Sequence, residues 1–333
     1  MFGVDALTLL SAGALAFALL TYVMLDGTDL GVGMLMGINR RPEQRQVMLL
    51  SILPIWDANE TWLVLGGGGL LALFPLAYAI LLPALYMPFL LMFMALLVRA
   101  VGIEFREHLP RKGMGDALLL GGSLLATLCQ GVALGTLLQG VPHKAGQYNG
   151  NGWEWLGSFP LLCGLALVAG YLWLGACWLY WRSEGDLHQR SRRQARYLSL
   201  LALSLLAAVL ICTLGVDQRY WQRLSEPWIA GPSLASVTLL LLGYQLAWRS
   251  RWHCLPLLMA LGVVAVAFAL MLLALFPLII PPDLSLAQAA SSPTSQTFML
   301  VGFAIIAPIT LAYNTLGFRV FAGKIRAPDA RSE

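Results

Sequence analysis

Four carboxylates stand out because they interrupt two strongly apolar stretches near the start of the chain. Asp26 and Asp29 are three residues apart in the first stretch, and Asp57 and Glu60 are three residues apart in the second. In a helix, a spacing of three places two side chains on one face. Ionisable groups inside a membrane are costly and usually mark ion or proton pathways. The spacing therefore predicts a proton path built from these four acids.

The scarcity of charge elsewhere indicates what surrounds these acids. The chain has 333 residues, of which 59% are hydrophobic and 11% are charged, and its mean hydropathy is +0.74. Soluble domains carry about 25% charged residues. The composition therefore excludes a soluble protein and predicts an all-α polytopic membrane protein. The five cysteines have no metal-binding spacing, so neither a disulfide nor a metal site is expected.

The apolar runs predict nine membrane-spanning helices, since about 20 apolar residues cross a bilayer core. The runs cover residues 6–37, 48–72, 76–101, 117–140, 155–181, 197–216, 228–248, 256–279 and 296–320. We predict a single integral membrane domain over residues 1–333, with two four-helix bundles and one additional helix. The first run lacks a basic segment before it, so we expect a retained helix and not a signal peptide.

The basic residues predict the orientation of these helices. Seventeen of the 21 lysines and arginines fall in alternate loops and the C-terminal tail, and only Lys144, Arg219 and Arg223 fall on the opposite side. Cytoplasmic loops carry the excess of positive charge. We therefore expect the N-terminus outside the cell and the C-terminus in the cytoplasm.

This orientation predicts a depth for each acid. With a rise of about 1.5 Å per residue, Asp26 and Asp29 fall in the cytoplasmic half, and Asp57 and Glu60 fall near the bilayer centre. The four acids are then expected to ascend from the cytoplasmic face. The alternative is that an acid near a helix end simply pairs with Arg99 or Arg45.

Arg99 and Trp62 complete the predicted site. Arg99 ends the third run, where it could either extend to the interface or act as counter-charge for the carboxylates. Trp62 is expected deep in the membrane, where its N–H needs a partner. Glycines at 31, 33, 37 and 66–69 are expected to allow close helix packing.

The four histidines all fall in loops or at the ends of runs. In a membrane helix bundle, the haem iron is usually ligated by histidines on facing helices. No pair of histidines in this sequence has that placement. We therefore predict no haem on this chain. The sequence also has no Cys or His cluster for a metal, no phosphate-binding glycine loop and no catalytic triad, so we predict no catalytic residue, metal or redox cofactor here and no nucleic-acid partner. Any redox cofactor is expected in another subunit.

Several segments of the sequence resemble subunit II of the cytochrome bd family of quinol oxidases. The matching segments are 25–34 (LDGTDLGVGM), 51–64 (SILPIWDANETWLV), 66–69 (GGGG), 74–78 (FPLAY), 99–106 (RAVGIEFR), 276–277 (FP), 290–292 (ASS) and 320–324 (VFAGK). The departures are Thr28, where an aromatic residue is common, Ala58, where glycine is common, and Asn314, which makes the last helix a looser match.

The resemblance implies a partner subunit I that carries haems b and d and the main quinol site, with very short single-helix subunits in some members. Such a complex oxidises quinol and reduces oxygen to water. In the family, acids matching Asp26, Asp29 and Asp57 are associated with proton delivery, and a tryptophan matching Trp62 with an oxygen route. Some members also hold a quinone in subunit II, so a structural quinone or lipid is expected here.

Two other functions fit the same residues. A transporter that acts alone would use the buried carboxylates as its proton- or ion-coupling site. A purely structural subunit would use them for assembly with its partner.

Overall fold

A computed structural model of the chain describes residues 4–320 and 323–325. The helices are α1 (Ala6–Ile38), α2 (Pro42–Ile52), α3 (Trp56–Leu73), α4 (Pro75–Ala84), α5 (Tyr86–Glu104), α6 (Lys112–Gln139), α7 (Ser158–Arg182), α8 (Gly185–Val216), α9 (Gln218–Leu224), α10 (Pro227–Ala247), α11 (Leu255–Leu275), α12 (Leu286–Ala289) and α13 (Pro293–Val320). Two antiparallel hairpins lie between helices, formed by β1 (His143–Lys144) with β2 (Gln147–Tyr148) and by β3 (Leu278–Ile280) with β4 (Leu284–Ser285). Arg326 and Arg331, two of the predicted cytoplasmic cations, lie outside the described residues.

Eight helices of the described part of the chain are long and apolar enough to cross a membrane. They are α1, α5, α6, α7, α8, α10, α11 and α13. The predicted all-α polytopic class is confirmed, and the predicted count of nine is approximate. The run 48–72 accounts for the difference between nine and eight. The structure divides it between α2 and α3, and neither of them is among the eight helices.

Prolines explain where the predicted second and third runs are interrupted. Pro54 lies in the gap between α2 and α3, Pro75 begins α4, and Pro83 and Pro88 flank the gap between α4 and α5. Proline has no N–H to donate and its ring clashes with the preceding turn, so a helix tends to end or kink there. Between Pro42 and Glu104 the chain therefore forms four shorter helices, α2 to α5, and not two continuous ones.

Residues 182–196, between the runs that end at 181 and begin at 197, were predicted as one of the basic loops. That prediction is wrong, because α8 begins at Gly185 and carries most of these arginines on its first turns. Gly185 has a φ of 61°, a conformation that glycine adopts without strain, and it turns the chain from α7 into α8. The sequence after it is rich in good helix formers. The charge there marks the end of the membrane span and not the end of the helix.

Helix α1 lies at the centre of the packing. It contacts α3, α6 and α7 extensively and also α2, α11 and α13. Along the chain, α5 packs against α6, α6 against α7 and α7 against α8, while α10 pairs with α11. Helix α13 packs on α3 and α1.

Ion pairs join the helix ends at one side of the molecule, which we call the basic end. This is where α1, α5, α7 and α10 finish and where α2, α6, α8 and α11 begin. Asp116 of α6 accepts hydrogen bonds from Arg45 Nη1 and from Arg106 Nε, both at 2.7 Å. Arg106 also donates to Gln46 Oε1 at 2.6 Å. Asp116 and Arg106 are buried, so this cluster fixes α2, α6 and the α5–α6 loop together.

Replacing Asp116 with Asn is expected to destabilise the protein by about 3 kcal/mol, because the buried Arg106 loses its nearer carboxylate, at 2.7 Å, and keeps only the exposed Glu107 at 3.4 Å. The matched control is Asp186→Asn, which removes an exposed ion pair to Arg41 of little energetic value. Thermal denaturation in detergent should separate the two variants. Equal midpoints would contradict the assigned role of Asp116.

Candidate functional site

Arg99 is the centre of the candidate site. Its side chain is completely buried, and its Nη1 lies 2.7 Å from Oδ1 of Asp26, which is also completely buried. The same nitrogen lies 3.4 Å from Oε1 of Glu60, whose side chain is 28% exposed. Arg99 on α5 therefore links α1 and α3. It does not extend to the membrane interface, which was one of the two predicted alternatives.

The close packing of α5 against α6 allows this arginine to sit inside the protein. Gly122 of α6 faces the backbone of α5, and a Cβ there would lie 2.7 Å from the backbone nitrogen of Arg99 and 2.5 Å from the carbonyl oxygen of Ala95. Only glycine leaves room for that approach. On its other side the guanidinium lies over the ring of Trp56, 5.9 Å from its centroid, which adds a cation–π contact.

Asp29 occupies a separate position on α1, one turn after Asp26. It is 1% exposed, and its Oδ2 accepts a hydrogen bond of 2.6 Å from Nδ2 of Asn59. Asn59 is on α3, next to Glu60, and is also fully buried. Sequence reasoning missed Asn59, although its position between two predicted acids was a signal.

Asp57 is on the outside of the chain. It is exposed, as are Thr61, Val64 and Gly68 at successive helical turns of α3. The structure therefore separates Asp57 from the three acids that lie around Arg99. The helices α1 and α13 pack against α3 and determine which of its faces is buried. The three-residue spacing of Asp57 and Glu60 does not show which face that is.

Trp62 is completely buried, as its predicted depth requires. Its ring makes an edge-to-face contact with Phe17 at 5.8 Å and lies in an apolar cluster with Ala18, Tyr22 and Ala307. Its Nε1 has no hydrogen-bond partner among the residues that the structure describes.

Three further polar side chains continue from this centre, and sequence reasoning missed them. Gln130 of α6 donates to the hydroxyl of Tyr22 at 2.8 Å, and the hydroxyl of Tyr171 on α7 donates to Gln130 at 3.1 Å. Tyr22 stands one helical turn before Asp26 on α1. A lone Gln or Tyr in an apolar run gives little signal, because it is not charged.

Several buried polar atoms around Arg99 have no hydrogen-bond partner among the described residues. They are Asp26 Oδ2, Asp29 Oδ1, Asn59 Oδ1, Arg99 Nε, Arg99 Nη2 and Ser123 Oγ. Buried polar groups are normally satisfied by protein or by ordered water. This cluster therefore has the hydrogen-bonding capacity to hold internal water between titratable groups, which is the chemistry that proton transfer needs.

The predicted ascending order of the acids is wrong in one respect. Asp26 and Glu60 approach the same guanidinium nitrogen, so they lie at one level and not at different depths. The prediction treated residues 48–72 as a continuous helix, whereas the chain breaks around Pro54 before α3 begins at Trp56. That break moves Glu60 relative to the depth that a continuous helix would give.

Two of the four histidines are neighbours at the basic end. The ring centroids of His188 and His253 are 5.0 Å apart in direct edge contact. Within residues 4–320 and 323–325, no cluster of three or more His, Cys, Asp or Glu side chains could hold a metal ion.

Comparison with known proteins identifies the family. The family model described as cytochrome bd terminal oxidase subunit II matches residues 7–321. The chain is 28% identical to cytochrome bd-I ubiquinol oxidase subunit 2 of Escherichia coli (strain K12), covering 93% of both chains. It is 27% identical to cytochrome bd ubiquinol oxidase subunit 2 of Bacillus subtilis (strain 168), over 91% of this chain and 92% of the relative.

A solved structure shares the fold. The structure of bd oxidase from Geobacillus thermodenitrificans contains a chain that matches with a TM-score of 0.79, covering 96% of this chain and 99% of that one at 19% identity. Eight helices able to span a membrane and bacterial relatives make this a multi-pass protein of the bacterial inner membrane. Because the family model covers nearly the whole sequence, the chain belongs to the cytochrome bd terminal oxidase subunit II family.

Proposed function

We propose that the chain is the haem-free subunit II of a terminal oxidase complex that oxidises quinol and reduces oxygen to water. Haems b and d and the quinol site belong to subunit I, the partner that this chain stabilises, with small single-helix subunits as further partners. The chain forms a single membrane domain with its N-terminus outside and its C-terminus in the cytoplasm. Family membership over residues 7–321 supports this assignment.

Within that complex, the site around Arg99 passes protons from the cytoplasm toward the haem subunit. The observation that carries this proposal is the convergence of Asp26 and Glu60 on one buried guanidinium, with Asp29 close by on α1. A cation beside several carboxyl groups favours the ionised form of some of them. The cluster then holds fewer protons than it has carboxyl groups, so a proton can move from one group to another. Internal water at the unpaired polar atoms would connect the groups.

Asp57 fits this proposal as the exit to the partner subunit. It is exposed on the outer face of α3, which also presents Val64, 73% exposed, and Gly67 and Gly68. A Cβ added at either glycine has no neighbour within 4 Å, so another helix can approach closely there. An ionised carboxylate facing lipid is costly, and a partner helix on this face removes that cost.

The test is oxygen uptake driven by quinol in the purified complex. We expect Asp29→Asn and Asp57→Asn to slow turnover by about a hundredfold, the size typical for loss of a positioned proton-transfer group. Asp186→Asn, which changes an exposed acid at the basic end, is the control and should leave turnover unchanged. The haem spectrum of each variant is recorded in parallel.

The outcomes distinguish a proton path from a purely structural role and from a transporter. Slow turnover with normal haem content supports the proton path. Full turnover of Asp29→Asn and Asp57→Asn would exclude it, and loss of haem in both variants would indicate a purely structural role. A colourless chain that purifies alone and moves a substrate would contradict the whole assignment in favour of a transporter.

A further inference from the structure

A cavity of about 290 Å³ opens at the basic end, away from the site around Arg99. It lies between the end of α7, the loop from α10 to α11 and the chain after α13. Its lining includes Trp181, Arg251, Trp252, His253 and Lys324. The proton path and the resemblance to the family leave these residues without a role.

The cavity carries positive charge that none of its described lining residues neutralises. Arg251 and Lys324 are exposed, and neither forms an ion pair within the part of the chain that the structure describes. The described lining contains no carboxylate. Burial and the nearby positive charge of Lys324 lower the pKa of His253, with smaller contributions from His188 and Arg192. Such a site favours an anion.

The walls of the cavity are held in place by packing. His253 makes edge contacts with the rings of Tyr180, at 5.3 Å, and of His188, at 5.0 Å. The backbone beside Lys324 is fixed because Ile325 N donates to the carbonyl of Arg182 at 2.8 Å, next to a bridge between Ser183 and Ile325. The cations are therefore presented by anchored segments.

Apolar surface adjoins these cations. Trp252 is 71% exposed, and tryptophan prefers the interface between lipid and water. On the helices that the loop connects, Leu246 near the end of α10 and Leu258 near the start of α11 are 62% and 51% exposed. A ligand that fits this arrangement carries an anionic group beside hydrocarbon chains.

We propose that this cavity binds the phosphate of an anionic phospholipid, with Arg251 and Lys324 as donors to its oxygens. The glycerol backbone lies against the tryptophans, and the acyl chains run along the exposed leucines of α10 and α11. A phosphate next to a cluster of Lys and Arg at a membrane surface is stabilised by each charge. A bound lipid would join the end of α7, the α10–α11 loop and the chain after α13.

The experiment uses the intact complex reconstituted with phosphatidylcholine alone or with phosphatidylcholine and phosphatidylglycerol in equal parts. Native mass spectrometry measures how many phosphatidylglycerol molecules stay bound. We expect one retained lipid in the wild type and about fivefold weaker retention for each of Arg251→Gln and Lys324→Gln. Arg249→Gln, an exposed arginine in the same loop that does not line the cavity, is the matched control.

Two results would overturn the proposal. The first is that the wild type and the double variant of Arg251 and Lys324 retain the same number of phosphatidylglycerol molecules. An Arg249→Gln variant that loses as much lipid as Arg251→Gln would equally contradict the proposal, because the lipid would then respond only to general surface charge. The second comes from a parallel arm with inorganic phosphate alone. Displacement of the lipid by millimolar phosphate would assign the cavity to a soluble phosphate and not to a lipid.

Discussion

Replacing Arg99 with Leu is expected to be the most damaging single change to a charged residue in this protein. Asp26 would remain completely buried with its counter-charge removed, and Glu60 would lose the same partner. Removing one member of a buried ion pair typically costs about 3–5 kcal/mol, because the other charge is left uncompensated. We expect a sharply lower denaturation midpoint and poor recovery of the complex from membranes.

A second substitution tests whether charge is the cause. Combining Arg99→Leu with Asp26→Leu removes both charges, and apolar replacement of a whole buried pair is often neutral or stabilising. The double variant should therefore be more stable than Arg99→Leu alone, while its oxygen uptake stays low because the acid is missing. A double variant as unstable as the single one would show that Arg99 acts through its packing on Trp56 and not through charge.

The charged residues of this site could be predicted from the sequence, for a physical reason. Charge is rare in the apolar runs, so Asp26, Asp29, Glu60 and Arg99 are conspicuous there. The cost of burying an isolated charge means that such residues must find partners. The geometry shows Arg99 as a counter-charge and not as an arginine that reaches the interface. For Asp26, the ion pair with Arg99 is the predicted alternative to a role in the proton path.

The arrangement of the site could not be predicted in the same way. The exposure of Asp57 depends on which neighbours cover α3, and its depth depends on the break around Pro54. Gln130 and Tyr171 connect to Tyr22 only because α1, α6 and α7 meet. Contacts between residues more than a hundred positions apart, such as Gln130 with Tyr22, leave no periodic signal in the chain.

The extent of the helices was also only partly predictable. Hydropathy locates the part of a helix that lies in the membrane, so the eight long apolar helices were found. It does not locate the polar continuation of a helix beyond the membrane, and the arginine-rich start of α8 was therefore predicted as a loop. Helix propensity and membrane burial are separate properties, and only the second produces a strong apolar run.

Replacing Gly31 with Ala is expected to destabilise the contact between α1 and α7 strongly. Helix α1 touches α7 backbone to backbone at this point, and a Cβ at Gly31 would overlap the carbonyl oxygen of Tyr171. Reciprocally, a Cβ at Gly175 would lie 2.5 Å from the carbonyl carbon of Gly31. Backbone atoms cannot rotate away as a side chain can, so we expect a loss of about 3 kcal/mol, the upper end for overpacking.

The matched control for this prediction is Gly13→Ala, in the same helix. A Cβ at Gly13 has no neighbour within 4 Å, and both substitutions bring the same gain in helix propensity. Any difference between their denaturation midpoints therefore measures the contact between α1 and α7. Because Asp26 and Asp29 precede Gly31 on the same helix, separation of α1 from α7 should also displace the acids and slow oxygen uptake. Equal midpoints for the two variants would mean that α1 and α7 can move apart without cost, and the close contact would not be what positions the site.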